Sequence, residues 1–210
     1  MWVPVFASKE TMDWAARHNV HITPGGSTLG VREDMIRYYA KRLREHGHTI
    51  TPNHLSILEV VYVADSKAQA IRENAPYHLY FNRALFSHGN YNENAVQRGT
   101  GYLTAAAMDF VRPENRRAAA RSREDFRNMT FSDVERDAEE MPWGTPQEVT
   151  ERLIANAGHH GANYVIVNFN RGAMPHEMFV EQVRRFARDV LPALQAHEVK
   201  SVKLAEEVAA

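Results

Sequence analysis

The 210-residue chain carries 25 basic and 26 acidic side chains, and it contains no cysteine. The near balance of charge excludes binding to nucleic acid or to a membrane surface through bulk charge. The lack of cysteine excludes disulfides, thiolate metal sites and a cysteine nucleophile. No apolar stretch approaches the roughly 20 residues that span a bilayer, and the first residues do not resemble a signal peptide. We therefore expect a cytoplasmic protein.

Predicted strands and helices alternate from the first residues onward. The strand–helix pairs are, in chain order, 2–7 with 9–18, 20–23 with 31–44, and 55–63 with 66–86. The first strand is almost wholly apolar, which is typical of a central strand with neighbours on both sides. We therefore expect further protein to precede this chain.

The alternation is interrupted between residues 87 and 143, which we interpret as a long insertion with one or two helices. It resumes at Thr145, where Thr, Pro and Glu form a capping box for a helix that we expect to close at Gly158. A strand at 164–169 and a helix at 175–196 complete the pattern. We expect one domain over residues 1–199 and a tail over 200–210.

The first helix begins with hydroxyl side chains directly after an apolar strand. Ser8 is a good N-cap residue, and Thr11 lies three residues further on, where the backbone N–H lacks a helical partner. Together with the positive end of the helix and Lys9, these groups suit a bound phosphate. An ordinary capped helix has the same pattern and remains an alternative.

Alternating strands and helices predict an α/β protein with parallel strands joined by right-handed crossovers. Four such units fit either a small open sheet or half of an eight-stranded barrel. The pattern alone leaves both architectures open.

Four segments of the chain resemble the bacterial luciferase-like, flavin-dependent monooxygenase family in its C-terminal half. They lie in the same order along the chain, with the long insertion before the third, at residues 7–16, 60–65, 143–149 and 169–177. The resemblance implies a partial TIM (β/α)8 barrel, equivalent to strands 5–8 with their helices. It also implies a monooxygenase that uses reduced FMN, or alternatively deazaflavin F420, with O2 on a small organic substrate. A separate flavin reductase would then supply the reduced cofactor.

The resemblance also assigns site residues. Ala7, Ser8 and Thr11 correspond to the flavin phosphate site, although the luciferase-type site has an acidic residue where this chain has alanine. Arg171, Met174 and His176 follow the last strand and correspond to the mouth of the barrel, and His176 is the one candidate for catalysis. The other catalytic residues of the family would lie in the N-terminal half, which has no counterpart here.

No metal site is predicted from the eleven histidines. The adjacent pair His159 and His160 points in different directions on a helix, and no ligand spacing of the HExxH kind occurs.

A half-barrel leaves strand edges and an apolar face uncovered, so we expect self-association or a chain that supplies the missing half. Two alternatives to a monooxygenase stay open. The chain could be a non-catalytic protein that binds flavin or phosphate, or an inactive truncated product that associates with itself.

Overall fold

The computed structural model describes residues 1–5, 8–25, 31–87, 126 and 128–206. All strand pairs in these ranges are parallel. The strands are β1 (Trp2–Val5), β2 (His21–Pro24), β3 (Ser56–Val60), β4 (Tyr62–Val63), β5 (Trp143–Gly144) and β6 (Tyr164–Asn168). The α-helices are α1 (Lys9–Arg17), α2 (Val31–Glu45), α3 (Lys67–Ser87), α4 (Phe131–Ala138), α5 (Pro146–His160), α6 (His176–Asp189), α7 (Leu191–Gln195) and α8 (Lys203–Glu206). No helix among the described residues is long and apolar enough to cross a membrane.

The long strands follow one another in space in the order in which they occur in the chain. β1 pairs with β2, a bridge between Ile22 and Leu55 joins β2 to the start of β3, and β3 pairs with β6. The predicted strand at 55–63 is divided at Val61, so that β4 pairs with β5 instead. The α/β class and the parallel order are thus confirmed, but the described strands do not close into a barrel.

One face of the sheet is covered by helices. Along β3 and β6, Ile57 and Val165 point to this face and pack in hydrophobic clusters with residues of the helices. α1 and α2 cover the part formed by β1 and β2, and α5 packs against β3, β4, β5 and β6. The residues buried on this side include Val5, Met12, Ile22, Met35, Ile36, Tyr39 and Leu43. The helix predicted to end at Gly158 continues to His160, and Gly161 terminates it with φ +70°.

The opposite face of the sheet carries exposed apolar side chains. Leu58, Tyr164 and Ile166 are 46%, 46% and 43% exposed, and the pairing register places them on one side. The Trp2 ring contacts the Tyr164 ring on this face with centroids 4.8 Å apart. Their strands lie three steps apart, a separation of about 14 Å in a flat sheet. The sheet is therefore curled, and the exposed side chains Leu58, Tyr164 and Ile166 lie on its concave side.

α3 lies near the carboxyl end of the sheet. It packs against β4, β5 and α4, and its residues Tyr80 and Phe81 approach the loop that follows β6. Arg171 and Gly172 in this loop make the contacts. The helix predicted as continuous over 175–196 divides at Val190 into α6 and α7. Beyond it, Val202 and Leu204 are buried against the cluster around α2.

Candidate functional site

The start of α1 has the predicted N-cap geometry. The Thr11 backbone N–H donates to Ser8 Oγ at 3.2 Å, and the Thr11 hydroxyl donates to the same oxygen at 2.9 Å. The Ser8 hydroxyl itself donates to Glu10 Oε2 at 3.2 Å. The structure therefore brings Ser8 and Thr11 together at the carboxyl end of β1, while Ala7 lies outside the described residues.

The neighbouring charges of α1 are directed towards α2. Lys9 Nζ lies 5.9 Å from the centroid of the Tyr38 ring. Asp13 accepts hydrogen bonds from the Tyr38 hydroxyl at 2.8 Å and from Arg42 Nε at 2.6 Å. Burial and the hydrogen bond to Asp13 raise the pKa of Tyr38 to about 12. These contacts determine which side of α1 faces α2. The hydroxyls of Ser8 and Thr11 lie outside them, at the N-terminal end of the helix.

The loop after β6 separates the three predicted mouth residues. Arg171 turns inward, with its guanidinium 3.8 Å from the centroid of the Phe81 ring. Met174 is buried in the cluster that contains Tyr62 and Trp143. His176 begins α6 and is exposed, with its ring 6.4 Å from that of Phe179. The structure thus places Arg171 and Met174 beside α3 and His176 at the surface.

Beside Arg171 lies a row of polar side chains that sequence analysis missed. Asn74, His78 and Asn82 follow one another at intervals of four residues on α3, so they share one face of the helix. Each is only 3% exposed. The signal in the sequence is the four-residue spacing of these polar side chains in a helix that also buries Ala70 and Ala75. The same spacing is typical of an ordinary solvent-exposed helix face.

Few of the polar atoms in this row have partners. Asn82 Nδ2 donates to the Met129 sulfur at 3.4 Å, and Arg171 Nη2 lies at a marginal 3.5 Å from Asn82 Oδ1. Asn74 Nδ2, His78 Nδ1 and Arg171 Nε are buried with no hydrogen-bond partner in the described part of the chain. Each such group costs about 1–3 kcal/mol. We name Asn74, His78, Asn82 and Arg171 the α3 polar row.

The electrostatics of the α3 polar row follow from burial. Burial lowers the pKa of Arg171 to about 10, and the guanidinium stays charged at neutral pH. Burial, together with the charge of Arg171, lowers the pKa of His78 to about 3. The imidazole is therefore neutral at neutral pH, and its ring meets that of Trp143 edge to face with centroids 5.3 Å apart.

A second cluster joins α2 to the end of α5. Glu33 Oε1 lies 3.2 Å from His159 Nε2 and 3.8 Å from His160 Nδ1, so the two histidines do reach one carboxylate. Arg32 Nη1 contacts His160 Nε2 at 3.1 Å. Because arginine can only donate, Nε2 must accept, and the proton of the neutral ring lies on Nδ1. Nδ1 then offers no lone pair to a metal, and the absence of a metal site stays a prediction.

The comparisons with known proteins identify the family. Residues 6–162 match the family model described as luciferase-like monooxygenase. The match covers well over half of the chain, and the chain belongs to the luciferase-like monooxygenase family. No curated protein matches the chain.

Two of the solved structures that share the fold are monooxygenases. One is the monooxygenase RslO1 from Streptomyces bottropensis, with a TM-score of 0.55. The other, with a TM-score of 0.56, is the oxygenating constituent of 3,6-diketocamphane monooxygenase from the CAM plasmid of Pseudomonas putida, a type II Baeyer–Villiger monooxygenase in complex with FMN. Each is 18% identical to this chain and is matched over 91% of it. The match covers 47% of each of those proteins, so this chain spans about half of their length.

Proposed function

We propose that this chain is the C-terminal half of a (β/α)8-barrel monooxygenase that binds reduced FMN and uses O2 to oxidise a small organic substrate. The observation that carries the proposal is the curled sheet of sequentially ordered parallel strands, in a chain of the luciferase-like family. Strands in this order form a barrel when four more units complete the curve. In this interpretation residues 1–199 form the half-barrel domain.

The exposed apolar residues on the concave face support the half-barrel. Leu58, Tyr164 and Ile166 form an apolar surface that a second set of strands would bury. The solved relatives have about twice the length that this chain matches. We propose that a further half-barrel, in a longer chain, in a partner or in a second copy, supplies the remaining strands and most of the pocket for the flavin ring.

The start of α1 fits the phosphate of FMN. The first turn of the helix has backbone N–H groups without helical partners, and its dipole favours an anion. The hydroxyls of Ser8 and Thr11 lie 2.9 Å apart at the same end. A phosphate oxygen would take the place of the Glu10 carboxylate as the acceptor of the Ser8 hydroxyl. The backbone at Ala7 completes the proposed site.

When bound, reduced FMN supplies the electrons that activate oxygen, and a separate reductase provides it in that form. The residues of this chain bind the phosphate, orient the flavin and exclude water from the carboxyl end of the strands. Arg171 and Met174, which lie beside α3, are our candidates for contact with the substrate at that end. His176 is exposed and stays a candidate for contact with the substrate from the rim.

Titration with FMN tests the proposal. We expect saturable quenching of flavin fluorescence in the micromolar range, by a species whose mass in solution is defined by light scattering. The double substitution Ser8→Ala with Thr11→Ala should weaken binding by about 1–3 kcal/mol, the cost of losing hydrogen bonds to a charged group. Thr130→Ala, which removes the N-cap of α4, is the matched control and should leave FMN affinity unchanged.

Three results would count against the proposal. Unchanged affinity in the double variant would remove the phosphate assignment. Tight binding of FMN without oxygen-coupled turnover, even with the missing half supplied, would favour the non-catalytic flavin-binding protein. Self-association of the chain without binding of FMN would favour the inactive truncated product.

A further inference from the structure

The α3 polar row presents hydrogen-bond donors without acceptors. Arg171 Nε and Asn74 Nδ2 can only donate, and His78 Nδ1 donates when it carries the proton. Buried polar groups are nearly always paired, so a group without a partner requires an explanation such as a ligand. A bound group with acceptor oxygens would satisfy these donors.

The charge in the row indicates that the ligand is an anion. Arg171 is a half-buried cation, and its guanidinium forms no salt bridge within 4.0 Å to a carboxylate of the described residues. The guanidinium instead contacts the face of the Phe81 ring and, at 3.5 Å, the amide oxygen of Asn82. Buried arginine is ordinarily paired with a carboxylate or a phosphate, whose geometry its planar fork matches. An anionic oxygen would satisfy this cation.

The side chains around the row are apolar and aromatic. Phe81 lies against Arg171, Trp143 lies against His78, and Met129 contacts Asn82. Trp143 is fully buried and donates its indole N–H to the Val60 carbonyl at 3.1 Å, so it does not compete for the ligand. Such surroundings fit a ligand with a compact apolar body better than a phosphate ester or a sugar acid.

We propose that Arg171 and His78 hold the carboxylate of a small organic acid with an apolar body, and that this acid is the substrate. The assignment as substrate rests on the proposed function, because it places the acid at the carboxyl end of the strands where the flavin is expected. Asn82 positions Arg171 from the next turn of α3. Asn74 lies one turn before His78 on α3. In this proposal its amide would contact the far end of a larger acid.

Calorimetric titration with benzoate and with benzyl alcohol tests the proposal on the whole chain. The two probes share a ring and differ in charge. We expect benzoate to bind at least about tenfold more tightly than benzyl alcohol, because bonds to a charged partner are the stronger kind. Arg171→Met should abolish this preference, and Arg171→Lys should keep part of it. Arg188→Met, at an exposed arginine bonded to Asp189, is the matched control and should change nothing.

The preference of the unsubstituted chain needs no variant, so it decides the matter even if Arg171→Met fails to fold. Equal affinity for the two probes, or no binding of benzoate, would overturn the proposal. A preference that survives in folded Arg171→Met would also overturn it. FMN titration of the same samples separates the two hypotheses. FMN binding without benzoate binding would support the proposed function and contradict the acid site. Benzoate binding without FMN binding would support the acid site and contradict the proposed function.

Discussion

The start of α1 and the α3 polar row both place polar side chains near the carboxyl ends of strands, but they differ in how those side chains are satisfied. Ser8 and Thr11 bond to each other and to the helix backbone. In the row, atoms of Asn74, His78 and Arg171 are buried without partners. The first arrangement stabilises its helix with or without a ligand. The second destabilises the folded chain in the absence of a ligand. Replacement of a polar side chain by an apolar one should therefore change the free energy of unfolding in opposite directions in the two places.

The largest expected effect concerns His78 at acidic pH. Its pKa is about 3 in the folded chain, against 6.5 for an ordinary histidine. Below pH 6.5 the unfolded chain takes up a proton that the folded chain does not, so stability is lost as the pH falls from 6.5 towards 3. At pH 5 the loss from this group is about 2 kcal/mol. Urea unfolding at pH 7.5 and pH 5 should show a smaller loss for His78→Phe than for the unsubstituted chain.

His160 is a second buried histidine that contributes to the loss of stability at acidic pH. Burial and the charge of Arg32 lower its pKa to about 4, so it contributes a similar loss in an overlapping pH range. That loss is present in both chains and cancels in the difference between them. An equal loss of stability in His78→Phe and in the unsubstituted chain would show that His78 is not held neutral, and the row would then resemble the solvated start of α1.

The second prediction tests the cost of an unpartnered amide. Asn74→Leu replaces a buried amide, whose Nδ2 has no partner among the described residues, by an apolar side chain of similar size. We expect the free energy of unfolding at neutral pH to rise by about 1–2 kcal/mol, because an unsatisfied donor is removed and apolar volume is kept. Denaturant titration measures the change.

Asn82→Leu is the matched control for Asn74→Leu. Asn82 lies two turns further along the same face of α3, with the same burial, but its amide nitrogen contacts the Met129 sulfur. It should gain less stability than Asn74→Leu or lose some. If Asn74→Leu destabilised the chain more than Asn82→Leu, our distinction between the unpartnered amide of Asn74 and the partnered amide of Asn82 would be wrong.

The two regions also differ in how far sequence could predict them. A cap is a local event, and Ser8 with Thr11, like Thr145 with Glu148, is readable from spacing alone. The order of strands and helices follows from periodicity for the same reason. The α3 polar row depends on a loop about 90 positions away that brings Arg171 to Asn82. Spacing indicates that such residues share a face, but it does not indicate what that face meets.

Other differences between expectation and structure have the same origin. Both Gly158 and Gly161 could end α5, and the choice depends on distant packing. A Cβ atom on Gly161 would lie 2.8 Å from the Val202 Cα, and its φ of +70° suits glycine. Likewise, adjacent histidines meet Glu33 only because α2 packs near the end of α5. An apolar sheet face open to water was expected from the resemblance, and Leu58, Tyr164 and Ile166 are exposed on one side of the sheet.

The smallest expected effect is at Ser8. Ser8→Ala removes the side-chain acceptor of the Thr11 N–H and should lower the free energy of unfolding by about 0.5–1 kcal/mol in the absence of ligand. Thr145→Ala, at the capping box of α5, should cost about as much and calibrates the loss of an N-cap in this chain. Urea unfolding of both variants without FMN is the measurement. A loss at Thr145 with none at Ser8 would mean that the first hydroxyl does not stabilise its helix. Ser8 would then belong with the α3 polar row, as a group whose stabilising partner is a ligand, and the difference between the two regions would disappear.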